Sequence, residues 1–165
     1  LADVVSPTVQ VSDADQEDLN APLDGKAVNA IRAFPGQGVL VWGARTLDGN
    51  SVDWRYVNVR RSMIVLEQSI KQALDGYAFQ PNTAATWASI QATISHYLTN
   101  KWAEGMLVGA KASDAFDVAV GLGTTMTADD ILNGCMRVSV SLAIVHPAEY
   151  IVIDFEQQMQ AREGG

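Results

Sequence analysis

A few groups of residues have the types that catalysis or binding needs, and their spacing decides what each can do. His96 and His146 are the two histidines and Cys135 is the lone cysteine. A hydrolytic triad needs a nucleophile delivered to a base that a third group orients. No Gly-x-Ser-x-Gly elbow is present to deliver one. His96 falls two residues from both Ile94 and Leu98, off the apolar stripe of its helix, and reads as a solvent-facing position. His146 precedes Pro147 at a strand end, so both histidines read as structural. One cysteine makes neither an intrachain disulfide nor a thiolate metal cage, and a reducing compartment is the natural reading. Asp129 and Asp130 are adjacent, and adjacent helical residues do not face one site. There is no His-Glu-x-x-His pair and no calcium loop, so neither metal nor cofactor is expected.

Gly121-Leu122-Gly123 follows a strand but lacks the third glycine and the downstream acid of a dinucleotide fingerprint. Gly36-Gln37-Gly38 precedes a strand, the wrong side for that motif, and both read as turns. A small α/β enzyme or ligand-binding domain would carry its site at Gly121–Thr125, and that remains the class competing with an interaction protein. Arg60 and Arg61 stand in the first turns of a helix, where a cation gains nothing from the helix dipole. They are candidates for ion pairs with a carboxylate of another subunit, against simple solvation.

These residues need elements to position them. Val39-Leu40-Val41-Trp42, bracketed by Gly38 and Gly43, reads as a strand buried on both faces. Asp48-Gly49 marks the turn after it. Val59, Met63, Leu66, Ile70 and Leu74 make one helical face over about Val57 to Leu74, closed by Gly76 as a left-handed cap. Tyr77-Ala78-Phe79 reads as a short strand stopped by Pro81. Asn82 or Thr83 caps a second helix with the stripe Trp87, Ile90, Ile94, Leu98 and Trp102. Phe116–Val120 alternates as a strand. Thr127 caps a short helix through Asn133, whose Asp129 and Asp130 favour its positive end. Met136–Ile144 alternates as a half-buried strand.

A last strand places Ile151, Ile153 and Phe155 on one face and Val152, Asp154 and Glu156 on the other. Such a terminal strand suits addition to a neighbour's sheet, although an intramolecular edge strand has the same pattern. Thr8–Val11 reads as a brief edge strand and Ala27–Arg32 as an irregular loop. The resulting class is α/β (α+β): one domain with a mixed sheet flanked by two main helices, and extended terminal arms. Residues 1–25 are an acidic arm or linker, 26–158 the folded domain and 159–165 a frayed tail.

Composition limits the partners. In 165 residues, 48% are hydrophobic and only 18% charged, which hints at surface buried against other chains. The net charge of −8 is uneven: residues 1–25 hold six acids and no base, residues 26–71 hold seven bases and three acids, and residues 72–165 hold four bases and ten acids. Overall acidity argues against nucleic acid, while oppositely charged regions suit pairing with copies of the chain or with a basic partner. No run reaches the length of a membrane span, so no membrane insertion is expected. The start has no signal-peptide pattern and no Met, as in part of a longer chain.

Several motifs, taken together, resemble one family. Phe34-Pro35-Gly36-x-Gly38, Val41-Trp42-Gly43-Ala44-Arg45-Thr46-Leu47 and Trp54-x-Tyr56-Val57-Asn58-Val59-Arg60-Arg61 look like the C-terminal domain of contractile tail sheath proteins. Phe79-Gln80-Pro81-Asn82 before Trp87, Trp102 with Gly105 and Leu107, Thr124-Thr125 to Asn133-Gly134, and Val145-x-Pro147-Ala148-Glu149-Tyr150-Ile151 complete the set, over about Asn29 to Gln158. Gly123-Thr124-Thr125-Met126 departs from the acidic residue and Asn that the family often carries there. The resemblance implies a non-enzymatic subunit that polymerises helically around an inner tube and contracts to drive the tube through a target envelope. It implies as partners other copies of the chain, the inner tube, and baseplate and terminal cap proteins. It implies assembly in the bacterial cytoplasm, into a phage tail or phage-like injection particle. The helix holding Asp129, Asp130 and Asn133 resembles the family's tube-contacting helix, and Ile151, Val152, Ile153, Asp154, Phe155 and Glu156 are expected to pair between subunits.

Overall fold

The computed structural model describes residues 1–148. The α2 helix (Val57–Asp75) and the α3 helix (Ala84–Ala103) are its longest elements. Both form along the apolar faces that the sequence lays out at steps of three and four. Val59 and Leu66 of α2 and Ile90, Ile94 and Leu98 of α3 are buried, and Leu66 and Leu98 have no exposed surface at all. The tryptophans at the two ends of the α3 stripe fasten loops. Trp87 donates to Asn82 Oδ1 at 2.7 Å, and Trp102 donates to the Gly109 carbonyl at 2.9 Å. His96 is exposed on the far side, as its place off the stripe requires.

Among the described residues the strands form two separate antiparallel pairs rather than a single mixed sheet. The short α4 turn (Ala112–Ala115) leads into β3 (Phe116–Val120), which pairs with β4 (Val138–Leu142) in the register Val118↔Val140. This ladder packs on α3, and Leu107, Ala115, Val118 and Ile144 close the same core. Between β3 and β4 lies α5 (Ala128–Leu132), a five-residue helix with no buried residue.

The second pair is β1 (Ala30–Phe34) with β2 (Gly38–Trp42), in the register Arg32↔Leu40. Ala27–Arg32, expected as an irregular loop, therefore supplies most of a strand. The Pro35-Gly36-Gln37 break is the hairpin turn, closed by the Gln37 amide on the Phe34 carbonyl at 3.1 Å, with Gly36 at φ +76. The expectation that β2 is buried on both faces is corrected: Val39 is buried, but Val41 is 57% and Trp42 46% exposed. Val39 and Val41 share one face of the strand and Leu40 and Trp42 the other. Burial therefore falls off along the ribbon toward Trp42 and does not alternate between faces, as a two-stranded ribbon has too few neighbours to cover either face along its length.

Three further local readings change. Thr8–Val11 is not a strand. Residues 13–20, expected as solvated arm, form α1 (Asp13–Asn20), started by a capping box in which Ser12 and Asp15 bond reciprocally. The acids stay in water, but Gln16 is buried and Arg32 pairs with Asp13 at 2.7 Å. Gly76 stays right-handed at φ −67, and Tyr77–Phe79 is a turn in which Phe79 takes φ +65.

Candidate interaction surfaces

The short helix α5 is built from its N-terminus. Thr127 Oγ1 accepts from the Asp130 amide at 3.2 Å, and Asp130 Oδ2 accepts from the Thr127 amide at 2.9 Å. The other carboxylate oxygen of Asp130 meets Arg137, just before β4, at 3.0 Å. These bonds, the Thr127 backbone donor first and then the Arg137 guanidinium, hold the Asp130 carboxyl below the usual carboxylate range. Asp130 is thus a brace between α5 and β4. Asp129 is exposed, its carboxylate has no hydrogen-bond or ion-pair partner among the described residues, and the Asn133 side chain also faces water. The two aspartates that look equivalent in sequence do different work.

At the N-terminal end of α2, the Arg60 guanidinium lies 5.3 Å from the centre of the Trp54 ring, and Arg61 is exposed. Thr46, Leu47, Asp48, Trp54 and Arg60 line a shallow cleft of about 420 Å³ there. Along the other half of α2 runs a second groove, about 510 Å³, between Met63, Ile70 and Leu74 and the β4 residues Val138, Val140 and Leu142. Among the described residues β4 has one ladder partner, β3, and its apolar side chains on this groove are only half-buried. The last strand, Ile151 to Glu156, lies outside the described residues.

The Gly121–Thr125 loop has no polar group aimed outward in concert. The amides of Thr124, Thr125 and Met126 all converge on the Gly121 carbonyl, and Thr125 Oγ1 donates to the Arg137 carbonyl at 2.7 Å. Its donors close the turn and tie it to β4. His146 is exposed, 6.1 Å edge-on from Tyr56, with Nδ1 3.0 Å from the Ile144 carbonyl. Cys135 is exposed, and its carbonyl takes the Asn82 side chain. Among the described residues no three metal-ligating side chains cluster, and no helix is long and apolar enough to cross a membrane.

Sequence reasoning missed Arg45. It is buried, its guanidinium donates to the Asn20 carbonyl at 2.8 Å, and it lies 6.0 Å from the Tyr56 ring. The Asn29 side chain clasps its backbone, accepting from the Arg45 amide at 2.9 Å and donating to its carbonyl at 2.8 Å. Gly43 makes this possible: a side chain there would come within 2.6 Å of Asn29. The knot joins α1, the hairpin and the approach to α2. Its one sequence signal was the Gly43-Ala44-Arg45-Thr46 motif, since burial of a single arginine leaves no periodic trace.

With these surfaces in view, the comparisons with known proteins agree. A family model described as the phage tail sheath C-terminal domain matches residues 50–158. The tail sheath protein of Vibrio phage KVP40 is 32% identical over 73 residues, 44% of this chain and 11% of that one. Among solved structures, the sheath complex of an extracellular contractile injection system, PVC, in its contracted state aligns with a TM-score of 0.86. Its identity is 44%, over 92% of this chain and 42% of that one. The contracted helical sheath of the anti-feeding prophage also aligns at 0.86, with 42% identity over 94% and 42% of the two chains. A chain of the anti-feeding prophage baseplate aligns at 0.83, with 42% identity over 92% and 41%. The chain thus spans well under half the length of these relatives. It keeps the helices-and-strands class of those sheath structures, and it belongs to the phage tail sheath C-terminal domain family.

Proposed function

We propose that this chain is the assembly domain of a contractile sheath subunit. Copies polymerise helically around an inner tube, and contraction drives the tube through a target envelope. The observation that carries this is the alignment of nearly the whole chain, at 44% identity, with a sheath complex of a contractile injection system. The particle would assemble in the bacterial cytoplasm, engage baseplate and terminal cap proteins, and carry out no catalysis. Two surfaces support the reading. The half-covered groove beside β4 offers an open ladder edge to an added strand, and Ile151 to Glu156 has the alternation to fill one in a neighbouring subunit. The exposed face of α5 offers Asp129 and Asn133 to the tube, with Asp130 fixing the helix that carries them.

Exposed ion pairs contribute only about 0–1 kcal/mol each, so tube contacts of this kind can break as a sheath contracts. Electron microscopy of the full-length protein tests the reading: tubular polymers are expected, and a monodisperse monomer would refute it. Removing Glu149 onward should abolish the tubes while leaving the core folded by circular dichroism. Intact tubes after that truncation would exclude strand exchange.

A further inference from the structure

Phe79 combines two unusual features among the described residues. It is 107% exposed, and its backbone sits at φ +65 in the turn that joins α2 to α3. The Gln80 amide closes that turn on the Tyr77 carbonyl at 3.1 Å, and the position Phe79 fills is one that glycine or asparagine ordinarily takes. A bulky side chain in the left-handed region is strained, and no described side chain stacks on it. The turn is also anchored, because Asn82 donates to the Cys135 carbonyl at 3.0 Å. An aromatic ring is therefore held outward on a fixed support.

The other end of α2 has the complementary shape. The cleft is lined by the apolar Leu47 and Trp54 together with Thr46, Asp48 and Arg60, so its apolar side chains lie beside one acid and one cation, and Leu47 is 74% exposed. Nineteen residues of helix separate the two ends by roughly 28 Å, so the ring cannot reach this cleft in its own chain. The charges of α2 point the same way. Arg60 and Arg61 stand near its N-terminus and Asp75 at its C-terminus, with no acid in the first turn and no base in the last. Both ends carry the sign that opposes the helix dipole. Set head to tail, the Asp75 end of one copy faces the Arg60 and Arg61 end of the next, and the misplaced charges become complementary.

We propose that Phe79 of one copy seats in the Leu47–Trp54–Arg60 cleft of a second copy, joining the copies head to tail with Asp75 opposite Arg60 and Arg61. This rests on the sheath reading, and it names a contact that reading leaves open. A knob and a cleft on different surfaces of one chain make a heterologous contact, which runs from copy to copy as a ring or an open helix instead of closing as a two-fold dimer.

Phe79→Asn in the full-length protein separates this from a structural role. Asparagine tolerates the left-handed backbone, so the thermal midpoint should stay level or rise. Assembly should weaken, with the critical concentration for tubes at least ten times higher. A second arm places Phe79→Cys and Leu47→Cys together in a Cys135→Ser background. Mild oxidation should give a ladder of linked copies that neither single cysteine gives. Unchanged assembly of Phe79→Asn overturns the knob. Weakened assembly without a ladder, or cross-links to the tube instead, overturns the cleft. If the wild type forms no tubes, the sheath reading fails, while the ladder still decides whether knob and cleft meet.

Discussion

Thr127→Ala isolates what holds α5 in place. A five-residue helix is far below the length that is stable alone, and none of its residues is buried. Its position therefore depends on the capping box and on the Asp130–Arg137 pair. The substitution removes Thr127 Oγ1, which accepts from the Asp130 amide and donates to Asp130 Oδ2 at 2.9 Å. Loss of such a cap costs about 1 kcal/mol, enough to raise the open population of α5 roughly five-fold. Hydrogen exchange reads this directly. The amides of Ile131, Asn133 and Cys135, bonded to the carbonyls of Thr127, Asp129 and Asp130, should exchange about five times faster. Amides in the middle of α3 should not change, because the core cluster contains no α5 residue. Thr127→Ser keeps the hydroxyl and should restore protection. Unchanged exchange at those three amides, or acceleration spread evenly over α3, would falsify the view that α5 is held by its cap.

Other consequences are as concrete. Leu98→Ala opens a cavity at a fully buried position and should cost about 3–5 kcal/mol, lowering the thermal midpoint by roughly 10 °C in a scanning calorimeter; a shift of one or two degrees would show that the α3 stripe is not the core. The folded-state carboxyl of Asp130 sits below its ordinary value, so its stabilisation is complete above the unfolded carboxylate range, about pH 4, and disappears as pH falls through the lowered folded value. Protection of α5 should hold from neutral pH to that range and fail below it, followed by amide exchange or the Arg137 side-chain NMR signal; loss already at pH 6 would contradict this. Asp129→Lys should weaken co-sedimentation of sheath with tube while leaving α5 protected, whereas Asp130→Lys should disturb both. Equal effects of the two on protection would erase the distinction between them.

The sequence by itself determined the elements whose energetics are local or strictly periodic. The α2 and α3 stripes, the β3 and β4 alternation and the Thr127 cap each repeat a signal within a few residues, so one element's worth of chain specifies it. The class of protein was also legible, because scattered motifs such as Trp54 to Arg61 matched a family together. Tertiary structure alone decided how the strands combine, since Val39 to Trp42 reads as buried on both faces until the hairpin with Ala30 to Phe34 leaves Val39 covered and Val41 and Trp42 exposed. It decided that Asp130 is tied to Arg137, seven residues on, while its neighbour Asp129 is not, because pairing across α5 and β4 depends on where the chain returns. It decided that Arg45 is buried against Asn20 and Asn29. It decided too that the left-handed residue after α2 is Phe79 and not Gly76. Propensity favours glycine there, but the path of the turn sets where the backbone must reverse, and that path is fixed by what α2, α3 and Asn82 pack against.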